Sequence, residues 1–92
     1  MSTLPIFVKD PDATKDYHIN WSTWLGSSDE ISSSTWTVPT GLTEVRSTNS
    51  TTLATIWLSG GTAGEDYELV NRIVSTDGRT EDQTFVICVR AQ

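Results

Sequence analysis

The sequence predicts an all-β fold: a single small antiparallel sandwich of about seven strands. Three observations carry this. Short β-prone segments alternate with turn signals every 8–12 residues or so along the chain. No stretch sustains a helical period, and the Thr, Ser and Val content favours strands. The C-terminal half reads as a continuous meander: Leu53-Ala-Thr-Ile-Trp-Leu58, a turn at Ser59-Gly-Gly-Thr-Ala-Gly64, Tyr67 to Val74, a hairpin at Asp77-Gly78, and Phe85 to Arg90.

From the N-terminus, Pro5 to Lys9 is β-prone and ends at Lys9-Asp-Pro-Asp12, where the residue before proline is pushed away from helix. Residues 1–9 are expected to form a first strand or an extended arm packed on a neighbour, because Leu4, Ile6 and Phe7 are apolar. Tyr17, Ile19 and Trp21 alternate with His18 and Asn20, so the first three face inward and the strand continues to Leu25. Gly26 to Asp29 is a loop, with at most a helical turn over 27–30. Ile31 to Val38 is a strand ended by Pro39-Thr-Gly41, Leu42 to Ser47 a weaker strand, and 48–51 a polar turn.

The spacing from Leu58 through the glycine-rich loop to Tyr67 predicts a tyrosine corner, in which the hydroxyl turns back onto the preceding loop. Together with the strand count, this makes the expected sandwich immunoglobulin-like. Tyr67, Leu69 and Ile73 then point inward, facing Phe85, Ile87 and Val89. Trp21, Trp36 and Trp57 are expected to fill the middle, each buried aromatic removing about 150–250 Å² from water. The opposite face of the last two strands carries Val70 and Val74 beside Val86 and Cys88, with Arg72 and Arg90. That is more apolar than a solvated face should be. Either another segment covers it or it is a subunit contact. A one-residue slip would invert the assignment.

Ninety-two residues make one domain, 1–92, which buries only about 60–65% of its unfolded surface. With 36% hydrophobic residues the core is thin, and such domains gain stability from disulfides, metals or association. Cys88 is the only cysteine and His18 the only histidine, so neither an internal disulfide nor a His/Cys metal cluster can form. Association remains. A net charge of −6 disfavours nucleic acid and anionic membrane as partners. The start of the chain lacks a signal-peptide pattern, and no run approaches the roughly 20 apolar residues that span a bilayer. Synthesis and retention in the cytosol, or departure inside a larger assembly, are expected.

No catalytic constellation stands out. His18 is expected to face solvent, far along the chain from Cys88. The carboxylate pairs Asp29-Glu30, Glu65-Asp66 and Glu81-Asp82 sit where charge is simply hydrated. Asp10, Asp12 and Asp16 lack the converging oxygens of a calcium loop. The glycine-rich loop contains no lysine and fails as a phosphate cradle. No cofactor is expected. Trp24 is the tryptophan best placed to be exposed and to meet a sugar, although a core or interface role is the commoner fate of such a residue.

The order Lys9-Asp-Pro-Asp12, Asp16-Tyr17, Trp21-Ser22, Trp24-Leu25-Gly26, Ser34-Thr-Trp-Thr-Val38 and Gly41-Leu42 continues with Ile56 to Gly64, Tyr67, Asn71-Arg-Ile73 and Asp77-Gly-Arg79. In this order the chain resembles, from about Phe7 to Arg90, a family of small tailed-bacteriophage structural proteins described as phage fiber–tail adaptors. The resemblance implies a non-enzymatic virion component of the neck or tail. It would join other virion proteins (neck, connector, tail or fibre) in several symmetric copies, made in the host cytoplasm. It implies no catalytic residues. The expected interface residues are Leu4, Ile6, Phe7, Val70, Val74, Val86 and Cys88. The alternative is a binding module for carbohydrate or a bacterial surface.

Overall fold

The alternation of apolar and polar residues resolves into seven strands and one helical turn: β1 (Ile6–Lys9), β2 (Lys15–Asn20), α1 (Ser22–Leu25), β3 (Ile31–Thr37), β4 (Leu42–Asn49), β5 (Leu53–Gly60), β6 (Asp66–Ser75) and β7 (Thr80–Val89). The computed structural model describes residues 5–91. Leu4 lies outside the described residues. Two sheets form, ordered β1-β7-β6-β3 and β2-β5-β4. In immunoglobulin lettering, β2, β5 and β4 take the places of B, E and D, and β3, β6 and β7 those of C, F and G.

One ladder departs from the expected antiparallel pattern. β1 runs parallel to β7, pairing Ile6 with Val86 and Lys9 with Val89. Ile6 to Lys9 is therefore an edge strand of the chain's own sandwich and not an arm laid on a neighbour. Its alternation turns Phe7 inward, against Tyr17 (ring centroids 5.2 Å apart) and edge-on to Phe85 (5.9 Å). Phe7 belongs with the core and leaves the expected interface set. Lys9, also inward, is fully buried; its ammonium donates to the carbonyls of Gly60 (2.7 Å) and Asp10 (3.0 Å). Because Gly60 ends β5, Lys9 ties the two sheets together.

The core lies between the sheets. Ala54, Ile56 and Leu58 from β5 meet Leu69 and Ile73 of β6 and Ile87 and Val89 of β7, all with no exposed surface. Phe85 is 1% exposed, and Trp21 and Trp36 are buried at the margins. Trp57 corrects the expectation that three tryptophans fill the middle. With Ala54, Ile56 and Leu58 all inward, strict alternation sends residue 57 outward. There it is half-buried under Arg46, whose guanidinium lies 4.0 Å from the ring centroid.

α1 stands where β2 was expected to continue, and no helical turn occupies 27–30. The Asn20 carboxamide accepts from the Ser22 N–H (2.9 Å), which favours a turn directly after the strand. Gly26, at φ +79°, ends it. β4 extends two residues beyond its expected end, and β7 begins at Thr80, five residues before the expected Phe85.

The tyrosine corner is present. Tyr67 is half-buried against the core, and its hydroxyl accepts from the Thr62 N–H at 3.0 Å. Its ring fills the space beside Gly41, where a Cβ would come within 2.8 Å of it at a φ of +111°. Tyr67→Phe removes only the hydroxyl acceptor, at a partly exposed site, and is expected to cost about 1 kcal/mol in urea unfolding. An unchanged midpoint would remove the corner from the stabilising contacts.

Candidate functional site

Alternation places the chemistry-bearing side chains apart. His18 is exposed on the outward face of β2, while Cys88 is half-buried on the outward face of β7, in the other sheet. A nucleophile–base pair between them is excluded by the fold. Burial and a hydrogen bond to Asp66 push the Cys88 thiol up, away from the reactive thiolate. Asp10 and Asp12 are tied in a local turn, the Asp12 N–H donating to the Asp10 carboxylate at 2.9 Å. Among the described residues no group of three or more His, Cys, Asp or Glu could hold a metal ion, and no helix is long and apolar enough to cross a membrane.

Asp29 was expected to be hydrated in a loop; it is only 4% exposed. Arg79, at the far end of the β6–β7 hairpin, reaches its carboxylate at 3.0 Å. The Thr76 hydroxyl (2.8 Å) and the Asp77 N–H (3.1 Å) donate to the same group. Burial alone would raise this carboxyl's pKa. The hydrogen bonds from Ser75, Thr76, Asp77 and Arg79 outweigh burial and hold it well below the usual carboxylate range. The same guanidinium lies 4.3 Å from the centroid of the Trp24 ring and donates to the Leu25 carbonyl at 3.1 Å. Trp24 in turn meets Trp21 edge-on at 5.6 Å. This cluster fastens α1 to the hairpin, and Trp24 is half-buried within it instead of presenting an open platform for a sugar.

A group whose folded pKa is depressed contributes stability that is present above its unfolded pKa and lost as pH falls through the folded one. Asp29 should therefore steepen the loss of stability below about pH 4. Asp29→Asn is expected to be less stable than wild type at pH 7 and to lose less on going to pH 3. Parallel acid limbs for the two proteins would contradict this.

The outward face of the four-stranded sheet has the apolar character expected from the sequence. Register sets Ile6 beside Val86 and Val8 beside Cys88, so β1 widens the stripe instead of covering it. Ile6 is 61% exposed and Val8 46% exposed; Val70, Val74, Val86 and Cys88 are half-buried. Val8 was missed in the sequence, where Val70, Val74, Val86 and Cys88 were paired without a partner for their open edge. Charges border the stripe: Glu68 lies directly opposite Val86 in register, and two neutral pairs flank it. Arg72 meets Asp82 at 2.8 Å and Arg90 meets Asp66 at 3.0 Å. Such a face, apolar inside and polar at the rim, suits protein–protein contact.

A groove of about 570 Å³ lies at one side of the sandwich. Ile19, Trp21 and Trp24 form one wall, and Glu81, Asp82 and Gln83 of β7 form the other.

A family model described as podophage GP4 fiber-tail adaptor protein gp77 matches residues 9–88, nearly the whole chain. No curated protein matches.

Proposed function

The chain belongs to the podophage GP4 fiber-tail adaptor protein gp77 family, and from that premise we propose that it works by adhesion alone. It is a structural component of the phage tail. In our reading it sits where fibre or connector meets tail, in several symmetric copies, after synthesis in the host cytoplasm. The outward face of β1-β7-β6 is the surface that docks on sister copies or neighbouring virion proteins.

The apolar stripe of Ile6, Val8, Val70, Val86 and Cys88 carries this reading. Exposed apolar area is costly unless a partner covers it, at about 25 cal/mol per Å². The stripe runs across β1 and β7 and reaches β6 at Val70, which is diagonal to Val86. Heterologous contacts, with this face of one copy set against a different patch of the next, would close a ring about the tail axis.

Val86→Glu tests it. The side chain already points outward, so the core is untouched; the new carboxylate sits opposite Glu68 in register, a like-charge pair worth at most about 1 kcal/mol. Folding should therefore persist, whereas burial of an unpaired charge in a subunit contact should reduce incorporation into tails at least about tenfold. Wild-type incorporation of the folded variant, together with unchanged light scattering, would remove this face from the joint.

A further inference from the structure

The apolar stripe carries one charge of its own. Glu68 is exposed on β6 directly opposite Val86, and Val86 stands beside Ile6. The row Glu68, Val86, Ile6 therefore crosses three adjacent strands on one outward face. Among the described residues Glu68 has no ion pair, whereas Asp66 and Asp82 of the same sheet are neutralised by Arg90 and Arg72. A carboxylate buried without a partner is costly, so whatever covers the stripe must bring a cation to Glu68.

The chain holds six lysines and arginines. Lys9 is buried on the Gly60 and Asp10 carbonyls, and Arg72, Arg79 and Arg90 are each ion-paired. Lys15 lies 5.9 Å from the ring of Tyr17, which is itself buried in the core. Arg46 differs. It makes no ion pair among the described residues and lies on Trp57, a half-buried side chain on the outward face of the other sheet. Asp16, Trp57 and Arg46 form a row across β2, β5 and β4. In that row the cation stands one strand, about 5 Å, from a large apolar side chain, the same offset that separates Glu68 from Val86. With Arg46 set on Glu68 and Trp57 on Val86, Asp16 falls at the margin beside Ile6, where a carboxylate stays hydrated.

We propose that the stripe of one copy docks on the outward face of β2-β5-β4 of the next copy, with Trp57 against Val86 and Ile6 and the Arg46 guanidinium paired with Glu68. The two faces lie on opposite sides of the sandwich. Each copy thus offers one and receives the other, which is the head-to-tail arrangement that can close as a ring. Trp and Arg are the side chains that most often carry the binding energy at the centre of an interface. The guanidinium is already stacked on its ring, so little freedom is lost in ordering it. The inference rests on the tail-adaptor reading and supplies the second surface that such a contact needs.

Charge exchange, read in tails purified from phage particles, tests it. Arg46→Glu and Glu68→Arg are exposed changes and should unfold in urea near the wild-type midpoint. Each should enter tails at least about tenfold less, because like charges then meet across the contact. The double exchange, R46E with E68R, restores the pair and should return incorporation to within about threefold of wild type. Arg46→Cys with Glu68→Cys, in a Cys88→Ser background, should give disulfide-linked multimers in mildly oxidised tails. The two positions lie on opposite faces of one chain and can bridge only between copies. Wild-type incorporation of either single exchange, no recovery in the double, or monomers alone after oxidation overturns the copy-to-copy contact while leaving the adaptor reading standing. Absence of the wild-type chain from tails overturns the adaptor reading itself.

Discussion

Replacing Asn71 with Leu should destabilise the domain by about 3 kcal/mol, although the two side chains share the same branched outline. Asn71 is fully buried in the middle of β6. Its carbonyl oxygen accepts from the Trp21 indole N–H at 2.9 Å, and its amide donates to the Ser34 hydroxyl (2.9 Å) and the Thr35 carbonyl (3.2 Å). It therefore joins β6 to its neighbour β3 and to the tryptophan at the end of β2. Leu fills the space but leaves the buried indole N–H without an acceptor and two oxygens without a donor. Each such loss costs about 1–3 kcal/mol, and part is recovered by relaxation. Against a typical total of about 5–15 kcal/mol the effect is large. Urea unfolding measures it, and adding Trp21→Phe to the Asn71→Leu background should recover part of the cost, since the orphaned donor is then gone. A cost under about 1 kcal/mol for Asn71→Leu would mean that the polar junction is dispensable.

Phe85→Ala should cost about 3–5 kcal/mol, enough to leave a thin-cored domain largely unfolded at modest urea. The ring lies between Phe7 and Trp36, edge-on to each with centroids 5.9 Å apart. Its removal leaves a cavity that two rigid aromatic neighbours cannot fill. Phe85→Leu, which keeps most of the volume, should cost markedly less. Equal costs for the two would argue that the site collapses freely and that packing there is loose. The contrast with the next residue is the important one. One step along β7 the side chain crosses to the other face, so Phe85 holds the fold together while Val86 is free to hold a partner.

That same step explains what could be read from the chain. The facing of β6 and β7 followed from their period of two, and with it the apolar outer stripe and the inward set from Leu69 to Val89. The tyrosine corner was legible because glycine spacing and one tyrosine encode it locally. Trp57 was misassigned because its size was weighted above its parity; Ala54, Ile56 and Leu58 already claimed the inner face. Lys9 and Asp29 were illegible for another reason. A lysine or aspartate in a short segment looks solvated, and only partners 51 and 50 residues away, Gly60 and Arg79, make burial tolerable. The parallel seat of β1 also depends on a distant strand. Most of the candidate docking stripe could thus be read from β6 and β7, while its open edge at Ile6 and Val8 needed the fold.

Cryo-electron microscopy of the intact tail tests the central claim most directly. The account predicts that each copy of the chain presents the outward face of β1, β7 and β6 to another virion protein, with Val86 and Val8 inside the contact. A tail in which that face lies open to solvent in every copy, with the chain held elsewhere, would contradict it.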